Sequence, residues 1–214
     1  MNESLSRYME NKIDIYERFP SLAICNYEIN QALAVLIDSF RRGGKLMICG
    51  NGGSAADALH IVGELQKSFL KPRRILKQKD RFNKVEDGIE LSKRLQEGLP
   101  AISLVSELSL GTAVCNDIGA EFCFAQQVWV LGQPNDVLLC ISTSGNSTNV
   151  VYAAETAQVK GCRVISMLGN NRLARILKYS DVSISVPESE TYRIQELHLP
   201  IYHYICQKLE REFF

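Results

Sequence analysis

Short apolar runs alternate with longer segments of helical periodicity along this 214-residue chain. Continuous apolar runs between turn residues are typical of strands that are buried on both faces of a parallel sheet. They predict strands over residues 45–49, 101–105, 136–142, 163–168 and 182–186. Apolar residues at helical spacing predict helices over residues 2–19, 21–42, 53–69, 109–114, 119–131, 147–160, 173–178 and 192–213. This alternation predicts an α/β fold, a doubly wound three-layer sandwich around a mostly parallel sheet of about five strands.

Two predicted helices precede the first strand, which is more cover than a sheet of this size needs. We therefore expect residues 1–44 to be oligomerisation helices that pack against another copy of the chain. That contact would bury apolar residues of the second helix, namely Leu33, Leu36 and Phe40. The length of the chain predicts a single domain over residues 1–214.

Residues 71–97 interrupt the alternation of strands and helices. This segment contains nine Lys or Arg residues against five Asp or Glu residues, few apolar residues, and Pro72 near its start. The composition favours a charged surface insertion that is partly helical over residues 85–95. The alternative is a lid, or a docking patch for an acidic partner.

A glycine-rich turn, Gly50-Asn51-Gly52-Gly53-Ser54, joins the first strand to the next helix. It matches neither the dinucleotide-binding fingerprint nor the P-loop, because the further glycines or the Gly-Lys-Ser/Thr are missing. A tight turn with a serine that caps the helix explains it equally well. Within the helix, His60 and Glu64 lie one turn apart on the same face, a spacing suited to metal binding or proton transfer.

A second polar loop, residues 142–147, follows the third predicted strand and contains the sequence Ser-Thr-Ser-Gly-Asn-Ser. Four hydroxyl groups and the free N–H groups of a helix N-terminus suit a phosphate monoester without any lysine. Helix capping explains Ser147 alone, but it leaves the other three hydroxyls without a role. Ligands of open parallel sheets bind outside the carboxyl ends of the strands, where both loops are predicted to lie.

Composition and charge narrow the class of protein. The chain has 24 basic and 24 acidic residues, and this neutral balance argues against a general nucleic-acid or membrane-surface binder. The N-terminus has no apolar signal core, and no apolar run reaches the length of a membrane span. Seven scattered cysteines without Cys-x-x-Cys spacing favour a reducing cytoplasm over a disulfide framework or a zinc knuckle.

The motifs together resemble the SIS (sugar isomerase) domain family. The resemblance is carried by residues 141–150, Ile-Ser-Thr-Ser-Gly-Asn-Ser-Thr-Asn-Val, and by residues 49–54 before them. The segments Asp57-Ala-Leu-His60, Asn116-Asp117 and Arg193-Ile-Gln-Glu-Leu-His198 are similar to the phosphoheptose isomerase branch. The resemblance covers the chain from about residue 20 to its end, apart from residues 71–97.

This resemblance implies a role for each matching residue. The catalytic pair would be Glu64 and His203. The substrate contacts would be Asn51, Gly52, Gly53, Ser54, Glu64, Asn116, Asp117, Ser142, Thr143, Ser144, Ser147 and Gln195. One Zn²⁺ per subunit would be bound by His60, Glu64, Gln195 and His203.

The implied activity is an intramolecular oxidoreductase reaction, the isomerisation of sedoheptulose 7-phosphate to D-glycero-D-manno-heptose 7-phosphate for lipopolysaccharide or a related glycan. Such a reaction needs a base for a carbon-bound proton and an acid for the oxygens, with an enediolate-like species between them. Glu64 suits the first role and His203 the second. Zinc would polarise the carbonyl, although glutamine is an unusual zinc ligand, so Gln195 is equally suited to contact the substrate.

Two further expectations accompany the isomerase hypothesis. A regular helix separates Gln195 from His203 by ~12 Å, so sites shared between subunits of a homotetramer would meet the geometry more easily. The alternative function is a non-catalytic SIS-domain protein that senses a sugar phosphate or binds a protein partner. The presence of His60, Glu64 and His203 argues against that alternative, and no nucleic acid or membrane partner is expected.

Overall fold

The computed structural model describes residues 14–76 and 79–214. Its centre is a five-stranded sheet with the order β2-β1-β3-β4-β5, in which every neighbouring pair is parallel. The strands are β1 (Leu46–Gly50), β2 (Ala101–Ser103), β3 (Val137–Ile141), β4 (Arg163–Leu168) and β5 (Val182–Ser185). The predicted α/β fold is confirmed, and the sheet is parallel throughout.

The α-helices of the described residues lie on both faces of the sheet. They are α1 (Asp14–Arg18), α2 (Asn26–Arg41), α3 (Gly53–Gln66), α4 (Gly88–Arg94), α5 (Leu108–Asp117), α6 (Cys123–Leu131), α7 (Thr148–Val159) and α8 (Thr191–Phe213). Shorter 3₁₀ helices cover Pro20–Cys25, Lys79–Lys84, Ala120–Phe122 and Arg175–Tyr179. One core cluster joins α2, α3 and α8 to the sheet through residues such as Ile48, and the other joins α6 and α7 through residues such as Met47. Successive side chains of β1 therefore enter opposite cores, as the pleat of a strand requires.

The order of the strands places a switch point between β1 and β3. The chain leaves β1 for β2 on one side and returns to β3 on the other side, so these two strands are neighbours. Gly50 at the end of β1 is paired in register with Ile141 at the end of β3. The glycine-rich turn and the serine-rich loop therefore emerge side by side, at the position where open α/β sheets bind ligands.

The N-terminal region differs from the prediction. Most of the predicted helix over residues 2–19 lies outside the described residues, which begin with α1. The helix predicted from residue 21 starts as the 3₁₀ helix Pro20–Cys25, and α2 follows it. The prediction that Leu33 and Leu36 contact a partner is wrong, because each is only 3% exposed within the core of its own chain. Phe40 is partly buried and packs edge-on against the ring of Phe213.

Most of the described residues between 71 and 97 are exposed, but the base of this segment is fixed to the body of the protein. Arg73 is 2% exposed, and its Nε donates to Glu210 Oε1 at 2.8 Å. Its Nη1 and Nη2 donate to the carbonyl oxygens of Leu65 and Glu64 at 2.7 and 3.0 Å. The Arg73 guanidinium group therefore satisfies carbonyl groups in the last turn of α3, which otherwise lack helical partners.

None of the helices in residues 14–76 and 79–214 combines the length and the apolar character that a membrane crossing requires. All seven cysteines are free thiols, and five of them are buried.

Candidate active site

The turn after β1 brings backbone and side chains of three elements together. Gly52 has a φ of +55°, a conformation that residues with a Cβ rarely adopt. A Cβ on Gly53 would lie only 2.6 Å from Gln195 Nε2 of α8, so this glycine allows Gln195 to approach the start of α3. The amides of Asn51 and Asn149 donate to each other's oxygen at 2.9 Å, and this reciprocal pair ties the turn to α7.

The loop after β3 brings several hydroxyl groups close together. Gly145 has a φ of +65°, and the loop closes with a hydrogen bond from its N–H to the Ser142 carbonyl at 3.0 Å. The hydroxyl oxygens of Ser142 and Ser147 lie 3.3 Å apart. The Ser144 hydroxyl accepts a hydrogen bond from the Asn146 N–H at 3.2 Å.

The serine hydroxyl groups of the two motifs do not cap helices. Ser147 is the N-cap residue of α7, yet its side chain makes no capping hydrogen bond. Gly52 occupies the same position in α3, so Ser54, which is buried in the first turn, is not a cap either. The capping interpretation of both motifs is therefore wrong. The N-terminus of α7 and the hydroxyls beside it are suited to bind an anion such as a phosphate.

A cluster of titratable side chains lies along α3 and α8. His60 Nε2 is 3.2 Å from Glu64 Oε1 and 3.5 Å from His203 Nε2. The imidazole rings of His60 and His203 meet edge to face with centroids 4.9 Å apart. His203 and Glu64 therefore both lie close to His60 Nε2 within one chain. No second subunit is needed to bring these three groups together.

The environment of the cluster controls the protonation of His203. Burial lowers the pKa of His203, the adjacent His60 lowers it further, and the Glu64 carboxylate acts in the opposite direction. The neutral imidazole is therefore favoured, and its ring nitrogens can both accept and donate a proton.

The two helices run side by side in the same direction, and this separates Gln195 from the cluster. Gln195 contacts Gly53, and His203 contacts His60 seven residues further along α3, a rise of about 10 Å. Helix α8 continues through Pro200 without a break. The structure thus places Gln195 beside the glycine-rich turn rather than with the other three residues assigned to zinc.

The residues assigned to zinc fit the ion in part. Zinc prefers imidazole and carboxylate ligands, which are the groups of His60, Glu64 and His203. Ligands ~2.1 Å from a tetrahedral ion lie about 3.4 Å apart, close to the two separations measured from His60 Nε2. As they stand, however, no three His, Cys, Asp or Glu side chains in the described parts of the chain are arranged to hold a metal ion. Ion binding would therefore require some adjustment of these side chains.

A cavity of about 610 Å³ opens beside the glycine-rich turn. Asn51, Gly52 and Asn116 line it together with apolar residues of α5 and α6. Asn116 Nδ2 donates to Asp117 Oδ1 at 2.8 Å in the last turn of α5, so the predicted Asn-Asp pair lies within a helix rather than after it. A second cavity of about 470 Å³ is lined by residues of α1 and α8, including His203.

Three residues of the site region escaped the sequence analysis. Asn149 pairs with Asn51, and Tyr202 contacts His60 with its hydroxyl 2.9 Å from Nδ1. Asp57 interacts electrostatically with Tyr202, and its Oδ2 is buried with no hydrogen-bond partner in the part of the chain that the structure describes. Asp57 and Asn149 belong to the motifs that carry the family resemblance, whereas a tyrosine in an apolar stripe is indistinguishable from a core residue in the sequence.

Comparisons with known proteins agree with this geometry. A sequence model of the SIS domain matches residues 7–97 and 86–169. The chain is 41% identical over 187 residues to a phosphoheptose isomerase of a Nitratiruptor species, covering 87% of each chain. It is 36% identical over 210 residues to that of Rhodospirillum rubrum, covering 98% of this chain and 97% of the relative.

Solved structures show the same relationship. The phosphoheptose isomerase GmhA from Neisseria gonorrhoeae superimposes with a TM-score of 0.73 at 30% identity, over 98% of both chains. A phosphoheptose isomerase from Francisella tularensis gives a TM-score of 0.74 at 30% identity, over 97% of both chains. These relatives are isomerases, which decides against a non-catalytic adaptor. The chain belongs to the phosphoheptose isomerase branch of the SIS domain family, and it is a sugar-phosphate isomerase.

Proposed function

We propose that this enzyme interconverts sedoheptulose 7-phosphate and D-glycero-D-manno-heptose 7-phosphate through an enediolate-like intermediate. The observation that carries the proposal is the cluster of His60, Glu64 and His203 on the helix that begins at the glycine-rich turn and on the helix beside it. That turn lies beside the hydroxyl-lined loop at the same edge of the sheet. An anion site next to an acid–base cluster is what isomerisation of a phosphorylated sugar requires.

The phosphate group would bind to the loop after β3. Ser142, Thr143, Ser144 and Ser147 would donate hydroxyl hydrogen bonds, and the N-terminus of α7 would add backbone N–H groups and its dipole. Each hydrogen bond to a charged group contributes about 1.5–3 kcal/mol, so this loop supplies much of the binding free energy. The sugar would extend toward Asn51, Gly52, Gly53, Ser54, Gln195, Asn116 and Asp117.

The carbonyl then moves between C1 and C2 by two proton transfers. Glu64 would remove the carbon-bound proton from one carbon and return it to the other. His203, held neutral by burial and by its neighbour His60, would move a proton between the two oxygens. The two residues face the same imidazole of His60, so they can act on adjacent atoms of one substrate.

We also propose that His60, Glu64 and His203 bind one zinc ion per subunit. When bound, the ion would act as a Lewis acid that polarises the substrate carbonyl and stabilises negative charge. The Gln195 amide, which lies against Gly53, is better placed to contact the sugar than to complete this set of ligands.

Three wider features remain proposals. They are a homotetramer, a location in the cytoplasm, and a product that supplies lipopolysaccharide or a related glycan. The family resemblance motivates all three, and the free cysteines accord with the second.

The substrate is tested by incubating the protein with a panel of ketose phosphates of different length, with and without a chelator, and identifying the products. Glu64→Gln keeps the shape of the side chain and removes the base, so we expect turnover to fall by at least ~100-fold. Binding of the sugar phosphate, measured by calorimetry, should stay within a few-fold and serves as the control for folding.

Preferential conversion of a shorter ketose phosphate would reject the heptose assignment. Turnover by Glu64→Gln within a few-fold of the parent protein would remove Glu64 from the mechanism. Full activity in the presence of the chelator would reject the role of zinc.

A further inference from the structure

The cavity beside the glycine-rich turn is lined by two polar side chains that have no role in the proposed function, Glu107 and Gln127. Its volume of about 610 Å³ lies within the range of roughly 300–1,000 Å³ that is usual for small-molecule sites. Much of the remaining wall is apolar and includes Leu104, Leu108 and Phe124. In such a site a few polar groups set the orientation and the specificity of the ligand. The chemistry of Glu107 and Gln127 therefore indicates which part of a ligand the cavity would accept.

Gln127 has one polar atom without a partner. The residue is 3% exposed, and its Nε2 donates to the carbonyl oxygens of Leu104 and Cys123 at 2.8 and 3.1 Å. These two bonds use both N–H groups of the amide and fix its orientation. Oε1 is buried and has no hydrogen-bond partner among residues 14–76 and 79–214. A buried acceptor without a partner is costly, so a hydroxyl group that donates to Oε1 from the cavity would be bound favourably.

Glu107 adds an exposed carboxylate to the same cavity. It is the N-cap residue of α5, yet its side chain makes no capping hydrogen bond. An ionised carboxylate only accepts hydrogen bonds, and its two oxygens can bind two hydroxyl groups at once. The described residues that line the cavity include no Lys, Arg or His. The charge of Glu107 therefore disfavours a phosphate group in this cavity and favours neutral hydrogen-bond donors.

The cavity adjoins the loop that is suited to bind the phosphate. Asn51 lines the cavity, and its amide pairs with that of Asn149 in the first turn of α7. Ser147, one of the proposed phosphate contacts, is the N-cap residue of the same helix. A sugar chain whose phosphate is bound at that loop can therefore extend past the Asn51–Asn149 pair and place hydroxyl groups in the cavity.

We propose that Glu107 and Gln127 are specificity-determining residues that accept hydrogen bonds from the hydroxyl groups of the sugar chain. They would select a hydroxylated chain over an apolar chain that carries the same phosphate. This role of the cavity rests on the proposed function, because it takes the phosphate to be bound at the loop after β3. It depends neither on the length of the ketose nor on turnover or a metal ion.

The test compares two phosphate monoesters that have no carbonyl group and cannot be isomerised. Glucitol 6-phosphate carries hydroxyl groups along its chain, whereas hexyl phosphate has the same number of carbons and no hydroxyl group. We expect calorimetry to show that the parent protein binds glucitol 6-phosphate more tightly than hexyl phosphate. The ratio of the two affinities should fall ~10-fold in Glu107→Ala, which loses an acceptor with a charge, and ~5-fold in Gln127→Met, which loses a neutral one.

Glu121→Ala and Gln126→Met are the matched controls. Glu121 is exposed and Gln126 is the neighbour of Gln127 on α6, and neither is among the described residues that line the cavity. Both controls should keep the parent ratio within about two-fold. Binding of inorganic phosphate should be equal in all of these proteins, because the phosphate loop is unchanged. If Gln127→Met does not fold, Glu107→Ala decides alone, since an exposed side chain is replaced.

The outcomes separate the subsite from the proposed function. A parent protein without a preference for glucitol 6-phosphate, an unchanged ratio in Glu107→Ala, or an equal loss of affinity for both monoesters would overturn the inference. Conversion of sedoheptulose 7-phosphate together with an unchanged ratio would reject the subsite and leave the proposed function standing. The expected ratios in a protein that converts no heptose phosphate would refute the proposed substrate and support the subsite.

Discussion

The buried imidazole of His198 should make the fold sensitive to acid in a defined pH range. His198 is 0% exposed, and neither ring nitrogen has a hydrogen-bond partner within residues 14–76 and 79–214. Burial lowers its pKa from 6.5 to about 4, and the backbone at Leu168 acts in the opposite direction. The folded state therefore binds fewer protons than the unfolded state between these two values. Its stability is unaffected above the unfolded pKa and declines as the pH falls through this range.

The size of the effect follows from the shift. Each unit of pKa corresponds to 1.36 kcal/mol, so lowering the pKa from 6.5 to about 4 costs about 3 kcal/mol once the pH is below both values. At about pH 5 the loss should be about 2 kcal/mol. Replacement by leucine removes the titration and keeps an apolar side chain of similar size.

The assay compares urea unfolding of the parent protein and His198→Leu from about pH 8 to pH 4.5, at one protein concentration because association also changes apparent stability. The difference between their free energies of unfolding should be constant above about pH 7 and change by ~1.4 kcal/mol per pH unit below about pH 6, in favour of the variant. Other titrating groups cancel in this difference. Parallel pH profiles for the two proteins would show that His198 does not titrate as a buried neutral group.

Two further predictions concern the phosphate loop and the base of the insertion. Ser142→Ala combined with Ser144→Ala should weaken sugar-phosphate binding by several kcal/mol, at ~1.5–3 kcal/mol for each lost bond to a charged group, and an unchanged dissociation constant in calorimetry would mean that the loop is structural. Arg73→Leu should lower the free energy of unfolding by ~3–5 kcal/mol, because it leaves the Glu210 carboxylate buried without its charged partner. Arg94→Leu, which breaks only an exposed pair on α4, should change it by less than ~1 kcal/mol in the same denaturation experiment, and equal losses in both variants would contradict the argument.

The sequence predicted the sheet well because the strands are continuous apolar runs. The strand predicted over residues 163–168 has the bounds of β4, and the two polar loops lie at the predicted edge. Element ends were less predictable. Helix α2 begins after a 3₁₀ turn, and β2 has three residues instead of the predicted five. The pattern of apolar residues does not show at which residue the hydrogen bonds between strands end.

The candidate site was predictable where its chemistry is local and unpredictable where it is not. Glycines, hydroxyls and the His60–Glu64 spacing are visible as motifs within a few residues of each other. Leu33 and Leu36 are buried in the core of their own chain because α2 lies against its sheet. The sequence alone cannot distinguish that contact from a contact with a partner. Tyr202 is another such residue, because only the pairing of α8 with α3 reveals that its hydroxyl faces His60.

The register between α3 and α8 governs the geometry of the site, and it is fixed at both ends of the paired segment. At one end, Gln195 occupies the space that the missing Cβ of Gly53 leaves open. At the other end, Glu210 accepts the N–H groups of residues 69–71 and binds Arg73, which in turn holds the Glu64 carbonyl. A shift of one residue along either helix would move His203 by about 1.5 Å and rotate it by about 100°, which would separate it from His60. The buried ion pair at the base of the charged insertion therefore contributes to the relative position of His60, Glu64 and His203 as well as to the stability of the fold.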